Sequence, residues 1–111
     1  MSNYLFSYGT LQQERVQINL YGRLLNGIPD SLPGYRLMSI KITDEIFLLK
    51  GEQQWQNTIV RTDNAQDEVA GTVFSLTDNE LLSTDQYEPA GYHRISVTLG
   101  SGRNAWIYIA D

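Results

Sequence analysis

The sequence predicts an α+β fold, in which a mixed or antiparallel sheet carries one well-defined packed helix. Short strand-like segments occupy most of the chain, residues 77–87 carry the capping pattern of a helix, and the last two strand-like segments are joined by a hairpin loop. A chain of 111 residues buries one core and little more. We therefore expect a single domain over residues 1–111.

The first third of the chain predicts one strand and little other regular structure. Residues 4–8 form an aromatic and apolar run that ends at Gly9, which is typical of a buried strand that enters a turn. Residues 12–21 place apolar side chains at near-helical spacing and predict a short helix or an irregular excursion. Residues 27–34, with two prolines and two glycines, predict a surface loop.

The middle of the chain predicts mostly sheet. Strand-like segments lie at residues 35–42, 46–49, 55–61 and 68–76, separated by polar residues and glycines. The last of these carries apolar side chains on both alternating faces. It is therefore predicted to be a central strand that is covered on two sides.

Residues 77–87 predict the clearest helix. Thr77 can accept a backbone N–H while Glu80 reaches back, which is the reciprocal pattern of a capping box. Pro89 disfavours the α conformation at the residue before it. The carboxylate of Glu88 is therefore expected to leave the helix end in an extended conformation.

The C-terminal segments predict a β-hairpin. Residues 92–99 and 103–110 alternate apolar and polar side chains, and Gly100-Ser101-Gly102 has the length and composition of a hairpin loop. Trp55 and Trp106 are expected to fill the core.

Composition excludes several functions. Eight Lys and Arg residues against 13 Asp and Glu residues give a net charge of −5, and the basic residues are scattered. Since binding to phosphates needs clustered cations, we expect no nucleic-acid partner. Cysteine is absent and His93 is the only histidine, so we expect no thiolate chemistry and no metal site. A chain of this size has no room for a separate cofactor domain, so we also expect no cofactor.

The absence of cysteine fits a cytoplasmic protein, and hydropathy predicts no membrane partner. No segment reaches the roughly 20 apolar residues that cross a bilayer. The opening residues Met1-Ser2-Asn3 lack the charged region that precedes the apolar run of a signal peptide.

One candidate site segment is the turn Tyr8-Gly9-Thr10-Leu11. Gly9 has no Cβ to keep a ligand away from the main chain, and successive N–H groups in such a turn can form a concave anion site. The alternative is a structural glycine that ends a strand.

The second candidate is Glu88. A carboxyl group that works as a general acid or base near neutral pH needs partial burial, which Tyr87 and Tyr92 could provide. The alternative is a solvated carboxylate or a partner of Arg94.

Two neighbours of Glu88 have simpler interpretations. Asp85 is interpreted as an ion-pair partner of Arg94, with a second catalytic carboxylate as the alternative. His93 would point away from Tyr92 and Arg94 in a strand and is expected to be structural or exposed.

Together, in this order and at this separation, the two segments resemble the gamma-glutamylcyclotransferase-like family, which includes gamma-glutamylamine cyclotransferases and plant avirulence-induced proteins. The family's Tyr-Gly-Ser/Thr-Leu turn matches residues 8–11, and its acidic stretch matches residues 84–94 with Glu88 at the catalytic position. Residues 32–37 and 70–74 are similar to two further family strands. Three residues depart from the pattern: Thr84 replaces a leucine, Phe74 a tyrosine and Pro89 a glycine.

The resemblance implies a small β-barrel with flanking helices and a small-molecule substrate. A γ-glutamyl amide would cyclise to 5-oxoproline and release an amine or amino acid, with Glu88 as the general acid/base. The backbone N–H groups of Gly9, Thr10 and Leu11 would hold the substrate's α-carboxylate. The pocket would be shaped by Tyr8 and Tyr92.

Two alternatives remain at this point. One is a non-catalytic module that binds a small carboxylate in the same cavity or serves in protein interaction. The other is an amidohydrolase-like activity in which Glu88 activates water.

Overall fold

A computed structural model describes residues 2–111. The strands are β1 (Ser2–Ser7), β2 (Gly27–Pro33), β3 (Tyr35–Lys41), β4 (Trp55–Arg61), β5 (Glu68–Thr77), β6 (Tyr92–Thr98) and β7 (Asn104–Ala110). The helices are α1 (Glu14–Tyr21), α2 (Glu45–Leu49) and α3 (Asp78–Tyr87), and a short 3-10 turn (Thr10–Gln12) precedes α1. Within the described part of the chain, none of these helices is long and apolar enough to span a bilayer.

Five strands form one mixed sheet in the order β2-β5-β1-β7-β6, and β3 and β4 form a separate antiparallel pair. The pairing of β1 with β7 is parallel, and the other pairings are antiparallel. The expected α+β class with a mixed sheet is confirmed. The expected barrel is wrong, because closure requires the two edge strands to pair and the described β2 and β6 lie at opposite edges.

Apolar side chains cover both faces of the large sheet. Leu5 and Phe6, consecutive in β1, are almost fully buried in two different clusters. The first cluster includes residues of the helices such as Val16 and Leu81, and the second includes Ile59 of β4. In β5, Leu76 joins the first cluster while Val69 and Val73 join the second. The prediction of a central strand covered on two sides is therefore confirmed for β5.

The prediction of a surface loop over residues 27–34 is wrong, because residues 27–33 form strand β2. This strand pairs along its whole length with β5. It lies at the edge of the sheet, where proline is tolerated because one row of backbone groups has no ladder partner. Gly34 then turns the chain into β3 with φ +81°, a conformation that favours glycine.

The prediction of a strand over residues 46–49 is wrong, because these residues belong to helix α2. Asp44 caps this helix, accepting a hydrogen bond from the Ile46 N–H on Oδ1 at 3.0 Å. A short apolar run is compatible with either a strand or a helix, and here the Asp44 cap favours the helix.

The prediction that Trp55 fills the core is also wrong, since this residue is 63% exposed. Trp106 is partly buried against the first cluster.

The local predictions at the C-terminal end are confirmed. Both halves of the capping box at α3 are present, with the Glu80 N–H bound to Thr77 Oγ1 at 3.1 Å and the Thr77 N–H bound to Glu80 Oε1 at 3.0 Å. The β6–β7 pair is an antiparallel hairpin. For residues 12–21 the structure shows a short helix, α1, after the 3-10 turn.

Candidate active site

Glu88 occupies the end of α3 and leaves it in an extended conformation, with φ −63° and ψ 144°. This is the conformation that Pro89 predicts. The Glu88 N–H still bonds to the Thr84 carbonyl at 3.1 Å, so the residue is tied to the last helical turn. A tight turn follows, in which the Tyr92 N–H bonds to the Pro89 carbonyl at 3.1 Å.

A cavity of about 40 Å³ adjoins Glu88. This space holds roughly three water molecules. All six sequence-predicted site residues line it: Tyr8, Gly9, Thr10, Leu11, Glu88 and Tyr92. The other lining residues are Phe6, Ser7, Phe47, Gln56, Asn57, Pro89 and Tyr108. The structure thus brings together two segments that are some eighty residues apart in the chain.

The turn after β1 lines this cavity with residues whose backbone N–H groups are free to bind a ligand. Among residues 2–111, no backbone or side-chain acceptor binds the N–H groups of Thr10 and Leu11, because they begin the 3-10 turn. The Gly9 N–H makes only a long bond of 3.3 Å to Ser7 Oγ. A Cβ built on Gly9 would have no heavy atom within 4 Å. The space beside the Gly9 Cα is therefore open.

The Glu88 carboxyl group is unusual in having charges nearby but no hydrogen-bond donor within the described chain. Burial raises its pKa from the usual 4.5 to about 8. The carboxylates of Glu52 and Asp85 raise the pKa further, while the Lys50 ammonium lowers it. Near neutral pH this group can therefore both donate and accept a proton.

The hydroxyl groups of the cavity residues Tyr8 and Tyr92 donate hydrogen bonds to backbone carbonyls. The Tyr8 hydroxyl donates to the Tyr108 carbonyl, and the Tyr92 hydroxyl donates to the Asn57 carbonyl at 3.1 Å. Burial raises the pKa of Tyr8 above its ordinary value and that of Tyr92 to about 12. These residues are therefore neutral walls of the cavity at physiological pH.

Sequence reasoning missed several lining residues, chiefly Phe47 and Tyr108. Phe47 lies in α2, which the apolar run had suggested to be a strand. Tyr108 reaches the cavity because β7 pairs in parallel with β1, with Leu5 opposite Trp106. This pairing joins the two ends of the chain and leaves no local signal in the sequence.

The neighbouring carboxylate, Asp85, lies in an ion pair and not in the cavity lining. Its oxygens accept hydrogen bonds from Arg94 Nε at 2.8 Å and Nη2 at 3.2 Å, and from the Tyr108 hydroxyl at 2.6 Å. The predicted pair with Arg94 is therefore confirmed. His93 is exposed, as expected, and its Nδ1 lies 2.5 Å from Asp111 Oδ1.

Residues 5–111 match a sequence family described as gamma-glutamyl cyclotransferase, AIG2-like. The chain belongs to this family. No curated protein sequence matches it.

Solved structures of low sequence identity share the fold of this chain. A protein named gamma-glutamyl cyclotransferase is similar with a TM-score of 0.75 and 18% identity over 100% of this chain and 68% of its own. A protein from Arabidopsis thaliana is similar with a TM-score of 0.74 and 23% identity, over 99% of this chain and 62% of its own. An uncharacterised protein from Homo sapiens is similar with a TM-score of 0.76 and 20% identity, over 99% of this chain and 67% of its own. The chain thus spans about two thirds of the length of these proteins.

Proposed function

We propose that this protein cyclises the γ-glutamyl group of a γ-glutamyl amide to 5-oxoproline and releases an amine or an amino acid. One observation carries the proposal. A partly buried carboxyl group without a hydrogen-bond donor, Glu88, lines the same small cavity as Thr10 and Leu11, whose backbone N–H groups have no acceptor among the described residues. Membership in the gamma-glutamyl cyclotransferase, AIG2-like family supports it.

The turn at residues 9–11 would hold the α-carboxylate of the substrate. The N–H groups of Thr10 and Leu11 are available as donors, and Gly9 leaves room for close approach of a ligand. Binding there fixes the position of the adjacent α-amine. Because nucleophile and electrophile belong to one molecule, folding the glutamyl chain into an attack geometry supplies much of the rate enhancement.

Glu88 would move the proton. Its carboxylate takes a proton from the α-ammonium, the freed amine attacks the γ-carbonyl carbon, and a new C–N bond forms. The protonated Glu88 then donates to the leaving nitrogen as the old C–N bond breaks. The attacking nitrogen, which carries two hydrogens and a positive charge after attack, loses its second proton to the released amine, so that the neutral lactam and a protonated amine result. A pKa of about 8 for Glu88 is close to the roughly 8 of an α-amino group, so neither transfer is steeply uphill.

A panel of γ-glutamyl amides, with separate detection of 5-oxoproline and free glutamate, tests the proposal. We expect 5-oxoproline from the wild type and roughly 10²–10⁴-fold slower formation by Glu88→Gln, which keeps the shape of the side chain but cannot exchange the proton. A matched control is Glu68→Gln, since Glu68 is exposed on β5 outside the cavity. Its turnover should equal that of the wild type.

Other products would contradict the proposal in distinct ways. Free glutamate would show hydrolysis, with Glu88 activating water. Saturable binding of the amides without turnover, unchanged in Glu88→Gln, would show a binding module.

A further inference from the structure

Helix α2 contacts the backbone on both sides of Glu88. At its N-terminal end, Asp44 Oδ2 accepts a hydrogen bond from the Ala90 N–H at 2.8 Å. At its C-terminal end, Lys50 Nζ donates to the Tyr87 carbonyl at 3.1 Å and to the Gln86 carbonyl at 3.4 Å. The segment 86–90 is thus bonded to one short helix at both ends.

The middle of α2 fixes the same segment through packing. Phe47 is fully buried and meets the Tyr87 ring edge to face, with the ring centroids 5.7 Å apart. Lys50 Nζ also lies 5.2 Å from the centroid of the Tyr87 ring. The side chains of Asp44 and Lys50 therefore add directed bonds to a contact that is already well packed.

We propose that Asp44 and Lys50 are positioning residues that hold the segment 86–90 so that the Glu88 carboxyl group faces the cavity. The catalytic consequence rests on the proposed cyclotransferase function, whereas the positioning can be measured without turnover. Neither residue touches the cavity. Lys50 is exposed and Asp44 is partly exposed, so replacing them leaves no void in the core.

Lys50 also affects the charge state of Glu88. It is the cation that lowers the pKa of this carboxyl group, whereas Glu52 and Asp85 raise it. Glu52 is itself paired with Arg15, at 3.1 Å. The remaining titratable groups whose pKa values respond to Glu88 are neutral tyrosines: Tyr8, Tyr21, Tyr87, Tyr92 and Tyr108. Removing the Lys50 charge should therefore favour the protonated form of Glu88.

A carboxyl ¹³C NMR titration of Glu88 tests the role of Lys50 directly. Lys50→Met should raise the midpoint above that of the wild type, and Lys50→Arg, which keeps the charge, should restore it. Lys41→Met makes the same charge change on β3 and should leave the midpoint in place. An unmoved midpoint in Lys50→Met would overturn the assignment, whether or not the enzyme turns over any amide.

The role of Asp44 needs a variant that separates its two bonds, since Oδ1 caps α2 while Oδ2 binds Ala90. Asp44→Ser keeps a good helix cap but is too short to hold the Ala90 N–H. We expect faster hydrogen exchange of the Ala90 amide in Asp44→Ser, and a kcat lowered about tenfold to 100-fold with little change in KM. Thermal stability should fall more in Asp44→Ala than in Asp44→Ser, because the alanine variant loses the helix cap as well.

Two results would overturn this role. Wild-type exchange at Ala90 in Asp44→Ser would show that the bond does not hold the segment. Wild-type kcat in Asp44→Ser, with loss only in Asp44→Ala, would show that Asp44 serves the helix cap alone. If the wild type itself forms no 5-oxoproline, the proposed function fails, and the exchange and titration data still decide the positioning.

Discussion

Two carboxyl groups three residues apart in the chain, Asp85 and Glu88, have opposite surroundings. Asp85 accepts three hydrogen bonds, two from Arg94 and one from the Tyr108 hydroxyl. These bonds hold its pKa below the usual value although burial opposes them. Glu88 receives no hydrogen bond within the described chain, and burial raises its pKa to about 8.

The difference shows that the supply of donors, more than sequence proximity, decides the charge of a carboxyl group here. Arg94 is directed to Asp85 by the strand β6 and lies 4.4 Å from the centroid of the Trp106 ring. The Glu88 carboxyl group has no such donor in the described part of the chain, and the Lys50 ammonium lowers its pKa without bonding to it. Environments that drive two neighbouring pKa values apart are typical of an acid/base group beside a structural one.

The largest expected effect is on stability as a function of pH. Between pH 4.5 and about 8 the folded protein keeps the Glu88 proton that the unfolded chain releases, so the free energy of unfolding falls as pH rises through this window. The shift corresponds to up to about 5 kcal/mol. Glu88→Gln carries no such penalty and should be more stable than the wild type at pH 8.5, with near equality at pH 5.

Asp85→Asn should show the reverse pH dependence. The lowered pKa of Asp85 stabilises the folded protein above its usual 3.8, and this contribution is lost as pH falls through the folded value. The variant should therefore be less stable than the wild type at pH 7, with a gap that closes in acid. Urea unfolding of all three proteins from pH 3 to 9 measures both trends. A constant gap between wild type and Glu88→Gln would refute the buried, protonated state.

The next largest expected effect is on turnover, which should fall much more when Glu88 is replaced than when Asp85 is replaced. We expect Glu88→Gln to lower kcat by roughly 10²–10⁴-fold, about 3–5 kcal/mol, because it removes the proton carrier. Asp85→Asn should keep turnover within about tenfold of the wild type while losing about 1–2 kcal/mol of stability at pH 7. Rates of 5-oxoproline formation at saturating substrate give the comparison. Equal losses of turnover would mean that the two carboxyl groups act together.

Local chemistry explains which parts of this arrangement sequence reasoning could predict. The capping box at Thr77 fixes where α3 starts, and Pro89 forces Glu88 out of the helical conformation. The pairing of Asp85 with Arg94 follows from charges placed at a helix end and a nearby strand. Each of these depends on residues fewer than about a dozen positions apart.

Longer-range features could not be predicted in the same way. The parallel pairing of β1 with β7 places Tyr108 beside Tyr8, and no local pattern encodes it. Pro29 and Pro33 indicate a loop unless it is known that β2 lies at an edge of the sheet. The bonds from α2 to the segment 86–90 depend on a helix that a short apolar run did not reveal.

A smaller effect concerns the turn on the other side of the cavity. Gly9→Ala should fold with nearly wild-type stability, since the added Cβ meets no heavy atom within 4 Å, yet raise KM about tenfold, or roughly 1.4 kcal/mol, by crowding the bound carboxylate. Gly71→Ala provides the contrast, because its Cβ would lie 2.4 Å from the Ser7 carbonyl oxygen. That variant should lose stability. An unchanged KM in Gly9→Ala would place the carboxylate elsewhere.

The smallest effect tests the geometry of the paired carboxylate. Arg94→Lys keeps the charge but loses the two-pronged bond to Asp85 and the stacking on Trp106, so we expect a loss of about 0.5–1 kcal/mol without a change in kcat. Arg103→Lys is the matched control, because Arg103 stacks over Tyr4 at 4.8 Å. If thermal unfolding shows equal losses for both variants, the hydrogen bonds to Asp85 contribute nothing beyond stacking. A larger loss for Arg94→Lys would show that the paired bonds to Asp85, which Glu88 lacks, add to stability beyond the stacking.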